Sequence, residues 1–221
     1  MRLAPGSERR KARGPGPKAV REELLRLGGP RGTRFYDQLV RAAEALSADR
    51  EKDALRLLRP LRSALPQSAA VRELLGVALY RSGRYELAAE ELEAYVAFCG
   101  AVDQHPALMD CYRALKDYDR VKALWDELGQ TASAPEVVAE GRIVYAGTLA
   151  DRGRVREAIG LLDRRAAEVK NVKEFHLRLW YALADLEERA GNLPRARTLF
   201  ERISRNDPSF ADVMERLVAL T

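Results

Sequence analysis

The sequence predicts an all-α protein built as an array of repeated helix pairs. Three observations predict it. Apolar residues make up 47% of the 221 and charged residues 32%, with Ala, Leu, Arg and Glu prominent, a composition of strong helix formers. Alternation of Val, Ile and Thr at period two, the mark of a half-buried strand, is nearly absent. A small residue followed four places later by leucine or an aromatic recurs five times, at Ala54/Leu58, Ala88/Leu92, Val121/Trp125, Ala158/Leu162 and Ala196/Phe200, in steps of 34, 33, 37 and 38.

The elements follow in order. Residues 1–16 carry Pro, Gly and Arg with almost no apolar anchor, which predicts a disordered basic tail. Residues 17–32 hold a short helix. Pro17 suits a first turn, Val20, Leu24 and Leu27 share a face, and Gly28-Gly29-Pro30 ends it. The repeat array spans residues 33–208. Its first unit has helices over about 33–47, with Phe35, Leu39, Ala42, Ala43 and Leu46 on one side, and 50–64, closed by Pro66. The second, Val71 to Phe98, is the clearest: Leu75, Gly76, Tyr80, Gly83, Tyr85, Ala88, Leu92 and Tyr95 fall at large, small and turn places. Gly83 sits in the turn, where a positive φ favours glycine. The third, about 105–128, uses Leu108, Tyr112, Tyr118, Val121 and Trp125, and departs by placing Lys116 at the turn. The fourth, about 135–169, keeps Tyr145, Ala146, Leu149, Gly153, Val155, Ala158 and Leu162. The fifth, about 172–204, keeps Trp180, Leu183, Ala184, Gly191, Leu193, Ala196, Phe200 and Ile203, with Pro208 closing it. The longer steps are absorbed in loops at 129–134 and 170–173. Residues 209–221 predict a capping helix with Phe210, Val213, Met214, Leu217 and Leu220 on a face.

This order of large, small and turn residues at a period near 34 resembles the tetratricopeptide repeat (TPR). The Arg/Ala/Leu-rich usage and the run CYRALKDYDRVKALWDEL look like TPR proteins of actinobacteria, a likeness that suggests a bacterial cytoplasmic protein. The resemblance implies a right-handed α-solenoid of about five helix pairs whose first helices line a concave groove. It implies a protein–protein interaction scaffold and no enzymatic activity. Mapped onto this chain, the partner groove comprises Glu73, Val77, Tyr80, Arg81, Asp110, Arg113, Glu140, Ile143, Arg178, Tyr181 and Asp185, with Tyr36, Leu39, Ala43, Asp103, Gly147 and Glu188 beside them. Family members that grip a C-terminal carboxylate use Lys and Asn at set groove places. Asn is missing there and Glu73, Asp110, Glu140 and Asp185 are present, so a basic or mixed-charge peptide fits better.

Charge is unevenly placed. Of the overall +5, residues 1–34 carry ten basic and three acidic side chains, a net +7; the remainder carries 28 basic and 30 acidic, a net −2. The Arg-rich head therefore supports a second reading, nucleic-acid or ribosome association through non-specific phosphate contacts by residues 1–34. It also complements the acidic groove of its own or a neighbouring molecule.

Other chemistry is not signalled. His105 and His176 have no ligand-spaced neighbours, and no metal, cofactor or nucleophile motif is recognisable. Trp125 and Trp180 read as core residues. Cys99 and Cys111 are too few for a disulfide framework and fit buried thiols in a reducing cytoplasm. No apolar run approaches the roughly 18 residues of a membrane span.

Overall fold

The computed structural model describes residues 16–131, 134–166 and 169–220. The basic tail expected at 1–16 falls outside them except for Gly16. The described residues form α-helices, one short 3-10 helix and connecting turns. The chain divides into two compact units, Met1–Ala134 and Pro135–Thr221.

In the first unit, α1 (Pro17–Gly28) leads through the 3-10 helix Gly29–Arg31 into α2 (Gly32–Ser47) and α3 (Glu51–Ala64). Two further pairs follow: α4 (Ala69–Arg81) with α5 (Tyr85–Cys99), and α6 (His105–Ala114) with α7 (Tyr118–Gln130). The second unit holds α8 (Pro135–Asp151) with α9 (Val155–Asp163), α10 (Glu174–Arg189) with α11 (Leu193–Asn206), and a final α12 (Val213–Ala219). Within each unit the helices of a pair pack on each other, and α3 packs on α4, α5 on α6 and α9 on α10. The helix starts obey local chemistry. Pro17 opens α1, Ser68 Oγ accepts the Val71 N–H at 3.2 Å ahead of α4, and the Asp117 side chain accepts the Arg120 N–H ahead of α7.

One turn geometry closes every pair. The turn residue has positive φ at Asp49 (51°), Gly83 (70°), Lys116 (61°), Gly153 (76°) and Gly191 (81°). The next N–H then reaches back five residues: Arg50 to Ala45 O, Arg84 to Leu79 O, Asp117 to Tyr112 O, Arg154 to Leu149 O and Asn192 to Glu187 O, at 2.8–2.9 Å. This is the Schellman closure, which satisfies carbonyls that a helix end leaves open. Lys116, a departure in sequence, therefore adopts the same backbone as the glycines it replaces.

The core follows the recurring small residues. Ala54, Ala88, Val121, Ala158 and Ala196 are completely buried, as are Leu58, Leu92, Leu162 and Phe200 four places on. Trp125, the equivalent in the third pair, is only partly buried. Gly76 marks the closest approach within a pair: a Cβ there would lie 2.7 Å from the Leu92 side chain. At the other end of this unit, a Cβ on Gly32 would meet the Leu25 Cα at 2.6 Å, so α1 is seated directly on α2. Charge also ties pairs together. Glu91 of α5 accepts from Arg62 of α3 and Arg72 of α4, at 3.1 and 2.8 Å. Buried Glu187 of α10 accepts from Asn192 of the turn and Arg195 of α11, and Arg195 also reaches Asp163 of α9.

Three apolar expectations need correction. Leu39, read both as core and as groove, is 6% exposed and belongs to the core. Leu193, expected at a core place, is 48% exposed because it sits at the opening residue of α11. Met214, expected on the packed face of the last helix, is 50% exposed. The helix begins at Val213, and Val213, Leu217 and Leu220 at i, i+4 and i+7 turn inward with Phe210.

The turn geometry predicts that Lys116→Gly raises stability by about 1 kcal/mol by relieving left-handed backbone strain, while Gly83→Ala lowers it by a similar amount. Urea denaturation of the two variants reads both effects, and a loss of stability in Lys116→Gly would refute the assignment.

Candidate functional site

The groove residues mapped from sequence lie on α4, α6, α8 and α10, the first helices of their pairs. All eleven are exposed or partly exposed. Most of them are not isolated, however. They link one first helix to the next within each unit.

In the first unit, Tyr80 of α4 donates its hydroxyl to Asp110 of α6 at 2.8 Å, and Arg113 lies 3.4 Å from the same carboxylate. Gln104, just ahead of α6, donates to Glu73 of α4 at 2.9 Å. Arg81 donates to the Leu46 carbonyl of α2 at 2.8 Å and lies 3.7 Å from Asp49. Val77 is partly exposed between them in sequence. In the second unit, Arg178 of α10 grips Glu140 of α8 at 2.6 and 2.8 Å. The Tyr181 hydroxyl donates to Asp212, and Asp185 accepts from Arg216 of α12 at 3.1 Å. Ile143 is a partly buried residue of α8 packed against the core.

Sequence reasoning missed the partners that complete the face. Glu23 of α1 lies close enough to Glu73 to act on its charge, as does Asp103, which the sequence had already placed beside the groove. Asp103 in turn accepts the Tyr95 hydroxyl at 2.9 Å. Gln104 and Arg216 were not singled out either, since neither falls at a repeat place. Glu23 belongs to a helix outside the repeat pattern, and only the seating of α1 on α2 brings it here. Among the described residues, no group of three or more His, Cys, Asp or Glu side chains could hold a metal ion, and no helix is long and apolar enough to cross a membrane. Cys99 and Cys111 are free thiols, and burial together with the Asp110 charge pushes Cys111 up to about 12.

Comparison with known proteins agrees with this geometry. Two family models described as tetratricopeptide repeat match residues 39–106 and 177–220, together just over half of the chain. The chain is a tetratricopeptide-repeat protein. No curated protein matches it. Among solved structures it is similar to a thermophilic TPR protein of Thermus thermophilus, at 17% identity and a TM-score of 0.68, over 84% of this chain and 98% of that one. It is also similar to the apo form of the quorum sensor NprR from B. thuringiensis, at 14% identity and a TM-score of 0.68, over 92% of this chain and 63% of that one. These likenesses concern the fold.

Electrostatics single out one residue of the TPR first-helix face. Burial pushes the Glu73 carboxyl above its usual range; the Gln104 hydrogen bond opposes this, and the Asp103 and Glu23 charges add to it. Tyr80 is pushed up by burial and by its contact with Asp110. Burial and the Asp212 hydrogen bond raise Tyr181 to about 12, so both tyrosines are neutral donors at neutral pH.

A carboxyl whose folded pKa exceeds its unfolded value binds its proton more tightly in the folded state. Its contribution to stability is complete below about pH 4.5, the unfolded value, and is lost as pH rises through the folded value. Glu73→Gln keeps an acceptor for Gln104 and removes the charge. Its denaturation midpoint is therefore expected to exceed that of the parent at pH 7 and to match it at pH 4. A variant less stable at pH 7 would contradict the assigned environment.

Proposed function

We propose that this TPR protein is an interaction scaffold that holds a basic peptide segment of a partner protein on the first-helix face of residues 16–131. The observation that carries this reading is the tension at Glu73. Burial is the largest cause of the upward shift of Glu73, the Asp103 and Glu23 charges add to it, and no Lys or Arg is among the groups to which it is traced. A lysine or arginine side chain arriving there would offset the Asp103 and Glu23 charges and favour the ionised form of Glu73. Tyr80 and the aliphatic Val77 on the same helix offer packing for the stem of such a side chain. The TPR fold supports the general role, since stacked helix pairs present an extended face suited to a peptide. The absence of asparagine at the carboxylate-gripping places argues against capture of a chain terminus.

The experiment is fluorescence anisotropy of the full chain with a labelled twelve-residue peptide of alternating Arg and Ala, its Glu-for-Arg twin, and a twelve-nucleotide single-stranded DNA. Binding of the Arg peptide, with Glu73→Gln and Asp103→Asn each weakening it about three- to tenfold, supports the reading. Preference for the Glu peptide overturns it. Preference for DNA, lost steeply as salt rises, would move the function to the Arg-rich head.

A further inference from the structure

The first unit stitches its second helices together ionically at one gap and not at the next. Between α3 and α5, Glu91 accepts from Arg62 of α3 at 3.1 Å and from Arg72 of α4 at 2.8 Å. One repeat further on, Val96 stands 34 residues after Arg62, Leu124 stands 33 after Glu91 and His105 stands 33 after Arg72. Two of the three ionic members thereby become apolar at the gap between α5 and α7. A cleft of about 370 Å³ opens there. Val96 and Ala97 of α5 line one side and Ala123 and Leu124 of α7 the other, over Leu108 and Tyr112 of α6, which are buried.

The charged groups of the cleft are matched in different ways. Arg120 of α7 reaches Glu93 of α5 at 3.0 Å, the Tyr112 hydroxyl at 2.6 Å and Asp117 at 3.3 Å, so its cation already meets two carboxylates. Two turns along α7, about 10 Å away, stands Glu127. Its Oε2 lies 3.1 Å from Nε2 of the fully buried His105. A carboxylate accepts from more than one donor, as Glu91 does in the neighbouring gap. Among the described lining residues, Glu93 and Glu127 stand against one cation, Arg120, around an apolar interior.

We propose that this cleft is a binding site for a small hydrophobic amine, an aromatic or branched aliphatic body that carries an ammonium group. The body takes the apolar interior between Val96 and Leu124, where the neighbouring gap holds an ion pair instead. The ammonium group becomes a second donor to Glu127 beside His105, and so balances the excess of carboxylate in the lining. Ligand pockets run from about 300 Å³ upward, mostly apolar with a few placed polar groups, and the cleft fits that description. A carboxylic acid of the same body would meet Glu93 and Glu127 with like charge and is disfavoured. The cleft lies between second helices, away from the first-helix face that carries Glu73, so the two readings stand or fall independently.

The test is methyl NMR of the full chain labelled at its alanine methyls and titrated with phenethylamine. Its neutral and anionic twins, 2-phenylethanol and 3-phenylpropionate, present the same aromatic body without the cation. Saturable movement of the Ala97 and Ala123 signals is expected, with phenethylamine binding about three- to tenfold more tightly than 2-phenylethanol. Glu127→Gln should remove the advantage of the amine over the alcohol while Ala97 still responds to both. Ala123→Leu fills the cleft from an exposed position, so the fold is retained and the Ala97 response should be lost. No Ala97 movement at millimolar phenethylamine, an equal response to all three probes, or a response that survives Ala123→Leu would overturn the proposal.

Discussion

The structure depends on one backbone event repeated five times. At Asp49, Gly83, Lys116, Gly153 and Gly191 the chain enters the left-handed region for a single residue and reverses direction. Without that residue the last carbonyls of each first helix would lack their partners, and the second helix would leave at the wrong angle. Everything else is positioned from there. The small residue five places after each turn residue is then carried against the first helix, and every one of these residues is buried completely. That two of the five turn residues are not glycine shows which side the constraint comes from. Packing of the pair imposes the conformation, and glycine only lowers its cost.

The first-helix faces combine two roles that sequence tends to assign to different residues. Tyr80, Asp110, Glu140, Arg178, Tyr181 and Asp185 remain accessible, yet they also tie neighbouring helices together. A face stitched this way is pre-ordered, so fixing these side chains against a partner would cost less side-chain entropy. Glu73 is the exception in character. Its environment disfavours its charge, and a group held against its own ionisation in an accessible place is a candidate for recognition rather than for stability.

Legibility in the sequence followed the strength of local constraint. The helix pairs were visible because a small residue and a large one four places on are both needed wherever two helices approach closely. α2 and α3 begin and end within a residue of the expected places. Lys116 was visible as a turn residue only through its register, since lysine has no intrinsic preference for positive φ. Glu23, Gln104 and Arg216 were not legible as parts of the two faces. They lie outside the repeat places, and their relevance arises from how α1 and α12 are seated.

By itself the sequence determined the all-α repeat architecture, the order of the helix pairs and the positions where they meet, because these rest on periodicity and residue size within about 34 residues of chain. The tertiary structure decided which apolar residues are covered and which carboxylates share a neighbourhood. Leu39 is buried, while Leu193, Met214 and Val218 are open, although all four carry the same apolar signal. The physical reason is that burial is a property of the neighbour as much as of the residue. A helix face becomes core only when another helix lies on it, and that second helix is specified by distant chain.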